Sequence, residues 1–136
     1  MASSLTRLYE LFIKIGYIKR ENVKFPPHSL AQLDTEVCRN HGMSDLAIAF
    51  LIKIPWAQAD TWEPRPPDLI PDSGILDFSL ESDIKASRHP DHQTFAEVGA
   101  SHYLDSGWLA LTFWGGGSYG CALIVDVASG EMLPHY

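Results

Sequence analysis

At 136 residues the chain is about one domain long. With 46% hydrophobic and 20% charged residues it has the composition of an ordinary folded domain, not of a disordered, collagenous, coiled-coil or disulfide-framed chain. Ten basic against seventeen acidic side chains give a formal charge of −7, which argues against binding to duplex nucleic acid or to anionic membranes.

The imbalance sits in one half. Residues 1–68 carry eight basic and eight acidic side chains, whereas residues 69–136 carry two and nine. An acidic half of this kind reads as a solvated, solubilising face or as a surface that steers a basic partner. Cys38 and Cys121 lie in an expected helix and an expected strand, and both read as small buried hydrophobes. Their separation offers neither a zinc motif nor a disulfide framework. The amphipathic N-terminus is interrupted by Arg7, Glu10 and Lys14 and lacks the apolar core of a signal peptide. No stretch approaches the ~20 apolar residues of a membrane span. The expected compartment is the cytosol.

In chain order, Leu5, Leu8, Phe12 and Ile15 repeat at helical spacing, widened by Leu11, with Ser4 as the expected N-cap and Gly16 as the stop. Phe25-Pro26-Pro27-His28 then breaks the chain. Ser29-Leu30-Ala31-Gln32 has the form of a capping box, predicting a second helix from about Leu30 to Asn40 with Leu30, Leu33 and Val37 buried. Ser44 predicts the cap of a third helix running through Lys53, with Leu46, Phe50, Leu51 and Ile54 inward and Pro55 as the stop.

Five of the nine prolines fall within 55–74, so that stretch reads as a connector whose Trp56 and Trp62 tuck onto the core. After it the hydrophobic period changes to two. Leu76, Phe78 and Leu80 predict a short strand over Ile75–Leu80. Residues 81–107 read as a polar segment, with helix or loop around Phe95 to Val98. Trp108–Trp114 and Tyr119–Val127 read as strands joined by Gly115-Gly116-Gly117-Ser118, and Ala128-Ser129-Gly130 as a turn into a closing strand from Glu131. Helices followed by an antiparallel meander make the fold class α+β: a single domain over 1–136 with a helical part (1–54), the connector (55–74) and the meander (75–136).

Three constellations bear on function. His89, Asp91, His92, His102 and Asp105 fall within seventeen residues, but their spacing matches no zinc signature, so no metal and no cofactor is expected. His102 with Asp105, just ahead of a strand, is the candidate acid–base pair should the protein be an enzyme. The triple glycine leads into a strand, not a helix N-terminus, and so reads as a hairpin and not a phosphate cradle. Alternation along Trp108–Trp114 sets Leu109, Leu111 and Phe113 on a core face. Trp108, Ala110, Thr112 and Trp114 fall on the other, which reads as a half-open surface that Tyr119 flanks, or as a face covered by the connector.

The layout from Val23 to Tyr136 resembles the SUKH superfamily, which includes fungal cell-wall assembly regulators and bacterial toxin-immunity proteins. The resemblance is carried by Phe25-Pro26-Pro27 opening the helical part, by Ile54-Pro55-Trp56 closing it, and by the late strand pair with Asp126, Gly130 and His135. It implies a non-enzymatic binding module. Two readings follow. One is a cytosolic protein-recognition or regulatory module that engages its partner, a protein or a small molecule, through Trp108, Trp114 and Tyr119. The alternative is a small cyclase, isomerase or hydrolase using His102 and Asp105 in a pocket lined by those aromatics.

Overall fold

The computed structural model describes residues 1–58, 69, 73–88, 104–114 and 122–135. Helix α1 spans Ala2–Lys14. Ser4 is not its cap: the helix starts two residues earlier, and the Ser4 N–H already donates to the Met1 carbonyl at 2.9 Å. Gly16, in the left-handed region at φ +76°, ends it as expected. The buried face centres on Leu5 and Tyr9, with Leu8, Phe12 and Ile13 half-buried. The expected stripe through Ile15 is thus rotated, because the core ends before the helix does.

Strand β1 (Val23–Lys24) pairs antiparallel with β2 (Trp56–Ala57), so part of the expected connector is sheet. Trp56 is fully buried, and Trp62 lies outside the described residues. The second helix is shorter than predicted. Ser29 and Gln32 do exchange hydrogen bonds, Ser29 N–H to Gln32 Oε1 at 2.8 Å and Gln32 N–H to the Ser29 carbonyl at 3.0 Å. They close only a turn, however, and leave Leu30 exposed. Helix α2 (Thr35–Asn40) starts at the next capping residue, Asp34, whose carboxylate accepts from Val37 N–H at 3.0 Å. Ser44 caps α3 (Asp45–Leu51) through Ala47 N–H at 3.2 Å, as its sequence predicts. The helix buries Ala47, Ile48 and Leu51, and the expected inward Leu46 stands in solvent.

Strand β3 (Ser73–Ile75) lies earlier than the predicted Ile75–Leu80. The Asp77 carboxylate accepts from Ser79 N–H at 3.0 Å and turns the chain into α4 (Glu81–Arg88), a helix in the segment that the sequence reads as merely polar. Its acidic first turn and basic last turn complement the helix dipole. The predicted Trp108–Trp114 strand breaks at Leu111 into β4 (Trp108–Ala110) and β5 (Thr112–Trp114). β5 pairs antiparallel with β3. β4 joins β6 (Ala122–Asp126) and β7 (Met132–His135) in an antiparallel sheet of order β4–β6–β7. The expected turn before β7 is present, with Gly130 at φ +79°.

These elements make an α+β fold. One core cluster draws together Leu5 of α1, Leu51 of α3, Leu109 of β4 and Val125 of β6. Among the described residues no helix is long and apolar enough to cross a membrane.

Candidate functional site

Antiparallel pairing brings the start of β4, the end of β6 and the start of β7 to one end of the sheet, with Trp108 opposite Asp126. Trp108 is half-buried, packed like Leu104 against the cluster of Ala110, Ala122 and Ile124. The Asp126 carboxylate accepts from Ala128 N–H at 2.9 Å and from Ser129 N–H at 3.4 Å. These donors, the Ala128 amide first, hold its carboxyl below the usual carboxylate range, so it stays charged under any mild condition. Glu131 and Asp105 are exposed at the same end, together with Ser106, Ser129 and Met132. A partly exposed indole across the ladder from a carboxylate, within an acidic rim, suits a ligand bearing positive charge beside apolar surface.

The main chain beneath is held by Arg88. This side chain is wholly buried and donates to the carbonyls of His41 at 3.0 Å, Gly42 at 3.3 Å, Asp105 at 3.1 Å, Leu104 and Trp108. The planar guanidinium, with five N–H donors in a fixed fork, is the side chain able to gather so many carbonyls. The Ser44 N–H donates to the Ser106 carbonyl at 2.8 Å and ties the start of α3 to the same turn. Nothing local in the sequence marks Arg88 for this role, because its acceptors come from segments up to 47 residues away.

Of the sequence candidates, the structure brings Asp105 and Trp108 together, with Trp108 N–H donating to the Asp105 carbonyl at 2.8 Å. Trp114 stands opposite Ser73 in the separate β3–β5 sheet, so the two tryptophans do not share one strand face. Tyr119 and His102 lie outside the described residues, as do His89, His92, Cys121 and the glycine turn. The face expected to be half-open is closed at its centre. Ala110 and Thr112 are both fully buried, and the Thr112 hydroxyl accepts from Leu123 N–H at 2.9 Å. The break at Leu111 is the cause, since strict alternation holds only along an unbroken strand.

Two other polar or hollow places are structural in character. Lys24 Nζ lies 3.0 Å from the buried Asp77 carboxylate and 2.9 Å from Ser79 Oγ, while Asp83 accepts from Asp77 N–H at 2.8 Å. His28 stacks on Trp56 with ring centroids 3.8 Å apart and donates through Nε2 to the Ile54 carbonyl at 2.9 Å. A cavity of about 10 Å³ between Tyr9, Ile54, Leu76, Phe78 and Leu111 has room for one water molecule. Among the described residues no group of His, Cys, Asp and Glu is arranged to hold a metal ion.

No family model, no curated protein and no solved structure matches this chain. The functional reading therefore rests on the site itself.

Proposed function

We propose that the protein is a cytosolic, non-enzymatic protein-recognition module, of the kind that its resemblance to the SUKH superfamily implies, and that it takes a basic partner segment at the Trp108 end of the β4–β6–β7 sheet. The observation that carries this reading is Trp108 itself, a partly exposed indole paired across the ladder with the charged Asp126 on a turn clamped by Arg88. Rigid aromatic side chains within polar rims are the usual anchors of protein interfaces, because they contribute area at small entropic cost. Asp105, Asp126 and Glu131 supply the complementary charge, and the acidic second half of the chain extends the same field.

The test is selection of peptides from a random library on the wild-type protein, followed by affinity measurement on Trp108→Ala. Enriched peptides should carry lysine or arginine next to an apolar residue, and Trp108→Ala should weaken them by at least about tenfold, a normal loss for an aromatic anchor. Peptides without basic residues, or ones that bind Trp108→Ala equally well, would remove the site from this end of the sheet.

A further inference from the structure

Helix α1 carries more apolar surface than the core uses. Leu11 is 51% exposed, Ile15 65%, and Tyr17, just past the Gly16 stop, 52%. Leu8, Leu11 and Ile15 stand three and four residues apart, on one stripe of a helix with 3.6 residues per turn. The Tyr17 ring lies edge-on to Phe12 at 5.3 Å and extends that stripe. The other exposed large apolar residues, Leu30, Leu46, Leu80 and Met132, are far apart in sequence.

Basic side chains border the stripe. Arg7, Lys14 and Lys19 are all exposed, and among the described residues the ion pairs are Lys24–Asp77 and Arg39–Asp45, neither of which uses them. Arg20 lies over the Phe25 ring at 4.5 Å. With Glu10 and Glu21 as the acidic residues, 1–22 carries four positive and two negative side chains, a local +2 on a chain of −7.

We infer that this face docks an acidic amphipathic helix of a partner protein. Leucine-like side chains at i, i+3, i+4 and i+7 of such a helix fit a stripe with the spacing of Leu8, Leu11 and Ile15. Glutamates or aspartates at its flanks meet Arg7, Lys14 and Lys19. A second copy of the chain fits less well, since pairing α1 with itself sets Arg7 and Lys14 of both copies near one another. An anionic bilayer fits less well too. A plane of charge faces the whole acidic molecule, whereas a single helix feels mainly what lies within a Debye length, about 8 Å at physiological salt. The inference stands on α1 and does not rest on the Trp108 end.

The probe is a fluorescent synthetic helix of about 18 residues, leucine at the four stripe positions and glutamate at the flanks, compared with the same helix carrying lysine at the flanks. By anisotropy the glutamate helix should bind at least about tenfold more tightly than the lysine helix. Ile15→Ser should weaken it about tenfold and Lys14→Gln with Lys19→Gln about fivefold, the latter effect fading in high salt. Trp108→Ala should leave it unchanged. The double lysine variant touches no apolar contact, so it still decides the matter if Ile15→Ser proves poorly folded. Equal binding of the two helices, no binding of either, or indifference to both variants overturns the inference. So does a dimer in sedimentation velocity that Ile15→Ser dissolves, or co-sedimentation with phosphatidylserine vesicles that Ile15→Ser abolishes.

Discussion

Trp56 is enclosed on every side, its indole N–H on the Leu51 carbonyl at 2.8 Å and His28 stacked on its face, whereas Trp108 is partly exposed and lies across the ladder from Asp126. Both rings sit at the start of a short strand. What differs is the far face. Trp56, closed in the core with its N–H on a main-chain carbonyl, has nothing to offer a ligand. Trp108 is partly accessible, with a charged carboxylate across the ladder at the sheet end. A partly uncovered tryptophan beside a carboxylate is thus the feature that sets this end apart from the core.

The sharpest way to break that contrast is to remove what holds the Trp108 end. Arg88→Met keeps the apolar stem but leaves five part-buried carbonyls without their donor, and each unpaired acceptor shut away from water costs about 1–3 kcal/mol. The expected loss exceeds about 4 kcal/mol even with some water entry, and a urea titration should show little cooperative transition. Survival of a sharp transition near the wild-type midpoint would mean that the guanidinium is not the clamp.

Trp56→Ala comes next. It deletes the largest fully buried side chain among the described residues, removes the surface on which His28 stacks and leaves the Leu51 carbonyl without its indole donor. Large-to-small changes of this kind cost about 3–5 kcal/mol. Trp108→Ala should cost less, about 2 kcal/mol, because part of the ring stays in solvent. Denaturant melts of the two variants side by side read the contrast directly; equal losses would make Trp108 a second core residue.

The legible parts of the fold were those decided locally. The Ser44 cap, the Gly16 stop and the turn before β7 each depend on a side chain and an amide within a few residues. The same local logic misleads at Ser29–Gln32, where one pair of exchanged hydrogen bonds serves a turn as readily as a helix. Helix α4 and the break at Leu111 were illegible for the opposite reason. Arg88 at the end of α4 is secured by carbonyls of distant turns. Leu111 interrupts its strand because β4 belongs to one sheet and β5 to another. Of the candidate site, Trp108 is named by the alternation along its strand, and Asp105, just ahead of that strand, only as an acid–base partner of His102. Their positioning by Arg88 could not, since it depends on which loops meet in space.

The smallest expected effect is a pH dependence that comes from the Trp56 side of the comparison. Burial pushes the His28 pKa below its ordinary value; the Ile54 carbonyl bond opposes this, nearby Lys24 adds to it and Asp77 opposes it. The folded state therefore prefers neutral His28 more than the unfolded chain does. Below the unfolded value, about 6.5, the unfolded state binds more protons, so stability is fully present above that pH and declines as pH falls through it toward the lowered folded value. Asp126, with its carboxyl held low, loses its contribution only in more acidic solution, and Asp83, raised chiefly by burial, acts in the opposite sense nearer the carboxylate range. Among the described groups with a displaced pKa, His28 is the one whose ordinary value falls between about pH 7 and 5. Urea midpoints should fall over that interval in the wild type and fall less in His28→Gln, which retains a donor for the Ile54 carbonyl but does not titrate. The imidazole resonances of His28 should titrate with a midpoint below about 6.5. A midpoint above it, or a wild type that gains stability on acidification, would show that the ring is held in its charged form, and that its stacking on Trp56 is a cation–π contact and not the packing of a neutral pair.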